Sequence, residues 1–426
     1  MEEEGRRLTG RGPDANTQIR FFIGKGGVGK TTLAAATAIA LARTGDRVLL
    51  VTLDRARSLT EVLALEGAAA AAGTGVIAVA EGFDALELDT LTLLEDRLVA
   101  LSALIPGGTD HEHGSALSLP DPQELTGLPG AEELLGLAEV ARLAQGGEWD
   151  AVLVDCPPTG ELLRLLTIPD MVHDYLERIW PRYLRATVPG AQRWQAIAAL
   201  LVDRLSDFTL PVRAMLTDRQ NTCARMVLTA DVVGVAEARR TAAAMSVLGV
   251  RVDGVIVNRI LPQHDPVPAN GVDHPALRWY AERAERERAQ LDSLAGSLGG
   301  LPVRTADENA LEPVGFDSLA ALADALYPAG VDPLTAADDD SAGTRVELES
   351  GSGVESVYAL RLRMPLVDPS TLTLGRVEDD LVVGAAGVRR RVRLASVLRR
   401  CTTVGAQFED GDLVVRFRPD PQVWPL

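Results

Sequence analysis

The sequence predicts an α/β fold, with a mostly parallel sheet flanked by helices, followed by a smaller all-β sandwich. Three observations carry this. The β-branched and aromatic run "QIRFFIG" (Gln18 to Gly24) leads through glycines into the alanine-rich "KTTLAAATAIALARTG" (Lys30 to Gly45), which reads as strand, turn and helix. Further short apolar runs end in an acid or amide at "RVLLVTLD", "WDAVLVD" and "VDGVIVN", as buried strands of such a sheet do. Beyond "YPAGVDPLTAADDDSAGTR" (Tyr327 to Arg345) the grammar changes to short alternating strands between turns, as in a sandwich.

The expected division is a disordered tail over 1–17, an α/β domain over 18–328, a linker over 329–345 and a sandwich over 346–426. At 426 residues, 46% hydrophobic and 24% charged, the chain has the composition of a soluble globular protein. A formal net charge of -18 argues against nucleic acid or anionic lipid as a general partner. The three cysteines, Cys156, Cys223 and Cys401, are far apart and form no CxxC pair, so neither a zinc clasp nor a disulfide framework is expected. The N-terminal "MEEEGRRLTGRGPDANTQ" lacks an apolar core and does not read as a signal peptide. No apolar run reaches the length of a membrane span. The expectation is a cytoplasmic protein with no integral membrane segment.

The stretch "GKGGVGKTT" (Gly24 to Thr32) holds the chain's two lysines; every other one of its 42 basic residues is arginine. It fits G-x-x-x-x-G-K-[ST] between a strand and a helix, the phosphate loop of a P-loop NTPase. Gly24, Gly26, Gly27, Val28 and Gly29 would turn backbone N–H groups toward phosphate oxygens, and the helix start at Thr31 and Thr32 adds positive potential. Lys30 would meet the β- and γ-phosphates of ATP, and the Thr31 hydroxyl would serve Mg2+. An arginine fork is too wide for the cradle that a compact ammonium enters.

Other candidate residues fall at strand ends, where ligands of parallel sheets sit. Asp54 closes "RVLLVTLD" and is placed either to orient a water or to cap a helix beginning near Ser58. Asp155 closes "AVLVD" and suits Mg2+ held through water. Asn258, after "VDGVIV", reads on its own as a turn asparagine, though its amide carries both donor and acceptor. Strands are also expected at "RMVLTAD" and "LPVRT", with one between Leu65 and Asp89. His111, Glu112 and His113 sit in the turn-rich "PGGTDHEHGSALSLPDP", expected to be a mobile loop rather than a metal site.

Lysine directly after the first glycine resembles the deviant Walker motif of the family that includes MinD, ParA, nitrogenase iron protein and ArsA. The resemblance implies that Lys25 reaches across a homodimer to the partner's nucleotide. "TLDRARSL" and "DCPPTGELLRLL" are similar to switches I and II of ArsA/GET-type ATPases, with Arg55, Arg57, Cys156, Pro157 and Glu161 departing from the usual residues. The resemblance, over roughly Gln18 to Pro328, implies that Asp54 is catalytic and that Asn258 bonds adenine. It also implies a helical region after switch II that can form an apolar groove for a protein client. Met171, Ile179, Trp180, Tyr183 and Leu184 make such a face, though helical apolar spacing more often builds core. The C-terminal part resembles the α-crystallin domain of small heat-shock proteins through Ala406, Gly411 and Leu413 of A-x-x-x-x-G-x-L, without that family's I-x-I tail.

Three functions follow. The first is an ATP-hydrolysing dimeric switch that binds or targets a hydrophobic protein client, acts as a chaperone and touches the membrane transiently. The second is an arsenite- or anion-efflux ATPase, which needs gathered thiolates. The third is a nucleotide-binding holdase or scaffold with negligible turnover. One phosphate loop per chain means that two copies must meet for the first.

Overall fold

The computed structural model describes residues 16–54, 58–65, 75–90, 92–95, 131–179, 208–262, 274–298, 300–334 and 344–424. The main sheet has eight strands in the order β3-β4-β2-β5-β1-β6-β7-β8. The chain divides into two compact units, one of Met1–Phe21, Thr31–Asn221 and Pro313–Ala323, the other of Phe22–Lys30, Thr222–Glu312 and Asp324–Leu426.

The first unit holds most of β1 (Gln18–Ile23), α1 (Lys30–Thr44) from Thr31, β2 (Val48–Thr52) and the short α2 (Ser58–Val62). It continues through β3 (Ile77–Ala80), β4 (Phe83–Glu87), α3 (Ala131–Gln145), β5 (Ala151–Asp155) and α4 (Thr159–Ile179). All five residues of β2 and of β5 are buried, which is why each reads as an unbroken apolar run. They pair in parallel with Thr52 opposite Asp155. Helix α1 is an alanine stack with Leu33, Ile39 and Leu41 buried, and Gly45 ends it at φ +98°, a left-handed stop that suits glycine. One strand was expected between Leu65 and Asp89. The structure has two, β3 and β4, antiparallel around the turn at Glu81–Gly82. β3 is thus an antiparallel edge strand beside β4, β2 and β5, which run parallel.

The second unit begins with the end of β1 and the glycine loop. It contains β6 (Thr222–Thr229), α5 (Val232–Leu248), β7 (Arg251–Ile260), α6 (Pro275–Ala295) and β8 (Val303–Asp307). Strands β6, β7 and β8 are parallel neighbours. The Arg225 guanidinium is buried on β6, with Nη2 donating to Asp253 Oδ2 at 2.7 Å and Nη1 to Pro333 O at 2.8 Å and Tyr327 Oη at 3.2 Å. The start of the expected linker is therefore fastened to β6 and β7, and Leu334 is buried. Residues 335–343 lie outside the described set.

Seven strands follow: β9 (Thr344–Ser350), β10 (Val357–Arg363), β11 (Thr373–Val377), β12 (Asp380–Ala385), β13 (Val388–Arg393), β14 (Cys401–Glu409) and β15 (Asp412–Pro419). They form two antiparallel sheets, β14-β15-β10-β9 and β11-β12-β13. Leu413 points into the core as expected, and Gly411 turns at φ +83° between β14 and β15. The core residues Leu360, Leu362, Leu381, Val383, Val392, Val415 and Phe417 form one cluster with Ala243 and Val247 of α5. The other face of the four-stranded sheet carries ion pairs, Arg416 with Glu349 and Glu409, Arg361 with Glu347, and Arg345 with Asp412.

Helix α5 therefore belongs to two hydrophobic layers, the α/β sheet and the sandwich. Val247→Asp buries a charge at a fully enclosed position, a cost of about 3 kcal/mol. It should lower unfolding stability and raise amide exchange in β12 and β13. Unchanged exchange there would show that the sandwich does not lean on α5.

Candidate functional site

The glycine loop lies in the second unit, and its glycines answer three separate demands. A Cβ on Gly24 would stand 2.1 Å from the Val227 carbonyl oxygen, so the loop leaves β1 in contact with the backbone of β6. Gly29 has φ +92°, and a Cβ there would lie 2.3 Å from Asn258 Nδ2. Gly27 has φ +78°, yet a Cβ would meet nothing within 4 Å. The first and third glycines of this trio in chain order, Gly24 and Gly29, are pressed on strand ends, while Gly27 faces open space. Lys25, Gly26 and Gly27 are exposed and Val28 is buried.

Lys30 closes the loop and is buried, 5% exposed. Its Nζ donates to Lys25 O at 3.3 Å. A lysine ammonium has three donors, and among the described residues this carbonyl is its one acceptor. A buried cation with spare donors beside open glycine backbone fits an anion. Asp231 ends the turn after β6 and caps α5, accepting from Gly234 N at 2.8 Å and from Thr229 Oγ1 at 2.6 Å. Partial burial opposes its ionisation, but these hydrogen bonds, one from Val233 N and the charge of Lys25 outweigh it and hold the carboxyl below its usual range.

The next residue, Thr31, opens the group of oxygens in the first unit. Thr31 Oγ1 donates to Asp155 Oδ2 at 2.7 Å. Thr52 Oγ1 donates to the same oxygen at 3.2 Å, as the β2–β5 register requires. Ser58 Oγ lies 3.3 Å from Thr31 Oγ1. Helix α2, which presents Ser58, is fixed at both ends: Thr60 N and Oγ1 donate to Glu87 Oε1 at 3.0 and 3.2 Å, and Gly315 N donates to Val62 O at 2.9 Å. The donor set is hydroxyls and a carboxylate on a fully buried aspartate, hard oxygen chemistry that fits Mg2+. Thr32 follows on α1, half-buried.

Asp54 lies two residues past β2, half-buried, with its N–H donating to Thr52 Oγ1 at 3.2 Å. The residues expected to shape switch I, Arg55 and Arg57, lie outside the described set. In the switch II block Cys156 is buried and Glu161 exposed, and the buried Thr159 Oγ1 has no hydrogen-bond partner among the described residues. Asn258 Nδ2 donates to Val28 O at 2.8 Å, and Arg259 N donates to Asn258 Oδ1 at 3.0 Å. On α4, Met171 and Tyr175 are 62% and 60% exposed. Of the rest of the expected apolar face, the Ile179 side chain, Trp180, Tyr183 and Leu184 fall outside the described residues, as do His111, Glu112 and His113. Sequence reading missed Thr52, Ser58, Glu87 and Asp231 as members of these clusters. The local signals were a hydroxyl or acid at a strand end for Thr52 and Glu87 and at a helix start for Ser58 and Asp231.

A glycine loop between strand and helix, with Thr31 at the start of that helix bonded to Asp155 at the end of a parallel strand, defines a P-loop NTPase fold. The chain belongs to the ArsA-type anion-transporting ATPase family, whose model matches residues 17–328. Residues 355–417 match the HSP20-like domain found in ArsA. Protein Rv2184c of Mycobacterium tuberculosis is 42% identical over 98% of this chain and 100% of its own length. A putative arsenical pump-driving ATPase of Chlorobaculum tepidum is 27% identical over 95% of this chain and 97% of its own. ATPase GET3 of Malassezia globosa is 25% identical over 61% of this chain and 76% of its own. Among the described residues no helix is long and apolar enough to cross a membrane.

Thr31→Val keeps the side chain's volume and removes the hydroxyl from Asp155. The expected loss is about 1–3 kcal/mol in a denaturant titration, the cost of stripping a hydrogen bond from a buried carboxylate. Thr31→Ser should restore most of it.

Proposed function

We propose that the protein is a cytoplasmic, ATP-hydrolysing switch that works as a homodimer and handles a hydrophobic protein client. The observation that carries this reading is the bonded set Thr31, Asp155 and Ser58 directly after the glycine loop. Thr31 and Asp155 would hold Mg2+, which neutralises triphosphate charge when bound. Lys30 supplies its spare N–H donors to the β- and γ-phosphates. Asp54 orients the water that attacks the γ-phosphorus, and ADP leaves with its β-oxygen carrying the displaced charge.

Lys25 supports the dimer. It is exposed, and among the described residues its ammonium makes no hydrogen bond or ion pair, so it is available to the nucleotide of a second copy. Met171 and Tyr175, one helical turn apart on α4 and open to solvent, support an apolar client face, and membrane contact would be transient, through the client. The HSP20-like match supports a chaperone role. The names of several relatives favour a second reading, an arsenical pump-driving ATPase. It would draw on Cys156, Cys223 and Cys401, each buried on a different segment.

The test measures ATP turnover and molar mass together, with and without MgATP, for the parent, Asp54→Asn and Lys25→Ala. The parent should hydrolyse ATP and double in mass. Asp54→Asn should lose about a hundredfold or more in turnover while still dimerising, and pull down single-span membrane proteins. Lys25→Ala should stay monomeric. Equal near-background turnover of parent and Asp54→Asn would make the protein a nucleotide-binding scaffold. Arsenite stimulation abolished by replacing the cysteines would make it a pump ATPase.

A further inference from the structure

The side chain of Asn258 is committed at both ends inside the chain. Nδ2 donates to Val28 O at 2.8 Å, and Oδ1 accepts from Arg259 N at 3.0 Å. The approach is possible because position 29 has no Cβ, which would otherwise stand 2.3 Å from Nδ2. Arg259 adopts φ +59°, a left-handed conformation that is costly for a residue with a side chain. The following chain holds it there: Glu308 N donates to Ile260 O at 2.8 Å, and Arg259 Nε lies 3.8 Å from Glu308 Oε2. A strained backbone held from outside marks a place where the geometry itself is used.

We propose that Asn258 is a positioning residue for the phosphate loop, acting through the Val28 carbonyl on any phosphate ligand whether or not it carries a base. A trans peptide is planar, with its C=O and N–H pointing in opposite directions. Tying the Val28 carbonyl to Asn258 therefore fixes the peptide plane and aims the Gly29 N–H to the side away from β7. Gly29 sits at φ +92°, a conformation open to glycine, so the tie through Asn258 is a restraint on the peptide's orientation that the glycine's own backbone preference does not supply. The role rests on the reading of this loop as a nucleotide site. It differs from adenine recognition, because an amide that reads a base is silent toward a ligand that has none.

Calorimetry on the full chain separates the two, with MgATP and with inorganic tripolyphosphate plus Mg2+, for the parent, Asn258→Ala and Asn258→Asp. Asn258→Asp keeps the shape, lacks the donor and sets an oxygen against the Val28 carbonyl. Both ligands should weaken by the same factor, about tenfold in Asn258→Ala and more in Asn258→Asp. Amide exchange without ligand should rise at 26–30 and stay unchanged in β2 and β5, which a general loss of stability would not do. Weakened ATP with unchanged tripolyphosphate, or loop exchange equal to the parent's, overturns the proposal. A parent that binds neither ligand overturns the nucleotide reading instead, and the exchange comparison still decides whether Asn258 holds the loop.

Discussion

The hydrogen bond from Thr31 Oγ1 to Asp155 Oδ2 is the constraint on which the arrangement of the first unit turns. Asp155 is fully buried at the end of β5, where a carboxylate without partners would be expensive. Two hydroxyls meet it, one from the first turn of α1 and one from Thr52 on the adjacent strand. The bond fixes how α1 begins relative to β5, and Thr52 carries the same order to Asp54 through its N–H. Ser58 then arrives on a helix held by Glu87 and Gly315 rather than by its own neighbours in sequence. Four hydroxyl and carboxylate side chains are thereby gathered, Thr52 and Asp155 by the β2–β5 register and Thr31 and Ser58 by the first turns of α1 and α2.

The second unit solves a different problem, that of holding a flexible glycine loop without filling it. Contact with β6 at Gly24 and with β7 at Gly29 leaves the middle of the loop open at Gly27. Helix α5 follows directly from the turn at Asp231 and shares the sandwich core through Ala243 and Val247. At its far end, a Cβ on the C-cap Gly249 would come within 2.3 Å of Arg390 Nη1 from β13, a cation beside the negative end of the helix dipole. The sandwich is thus joined to the element that starts beside Lys25. The ion-paired face of the four-stranded sheet is laced with arginine and glutamate, so that sheet turns apolar side chains into the shared core and charge toward water.

Much of this was legible in the sequence because local chemistry dictates it. The glycine loop, the strand end at Asp155 and the turn at Gly411 each demand a residue type, so each left a mark, whereas Asn258, expected to end its strand, lies two residues inside β7. The failures have physical causes. β3 and β4 merged into one expected strand because both are short and alanine-containing, with the Glu81–Gly82 turn as the single break. β9 escaped notice because its alternation is short, Val346 and Leu348 among charged residues, and it begins inside the expected linker, with all seven of its residues exposed. The bond between Asn258 and Val28 spans 230 positions, and the anchoring of Pro333 by Arg225 spans 108. Neither residue type at either end hints at its partner.

Lysine at position 30 also acquires a structural reason. Among the described residues two arginines are buried, and the terminal nitrogens of each fork are met by several acceptors. Arg225 has Asp253, Tyr327 and Pro333 around it, and Arg20 has Ile19 O, Asn221 O and Gln18 Oε1. Lys30 is buried to a similar degree, yet the described residues give its ammonium a single carbonyl at 3.3 Å. A guanidinium with five donors would be left largely unsatisfied there, whereas an ammonium needs fewer partners and occupies less width. In a chain whose other cations, Lys25 apart, are arginine, lysine stands where the described residues supply one acceptor and leave its other donors open to an anion.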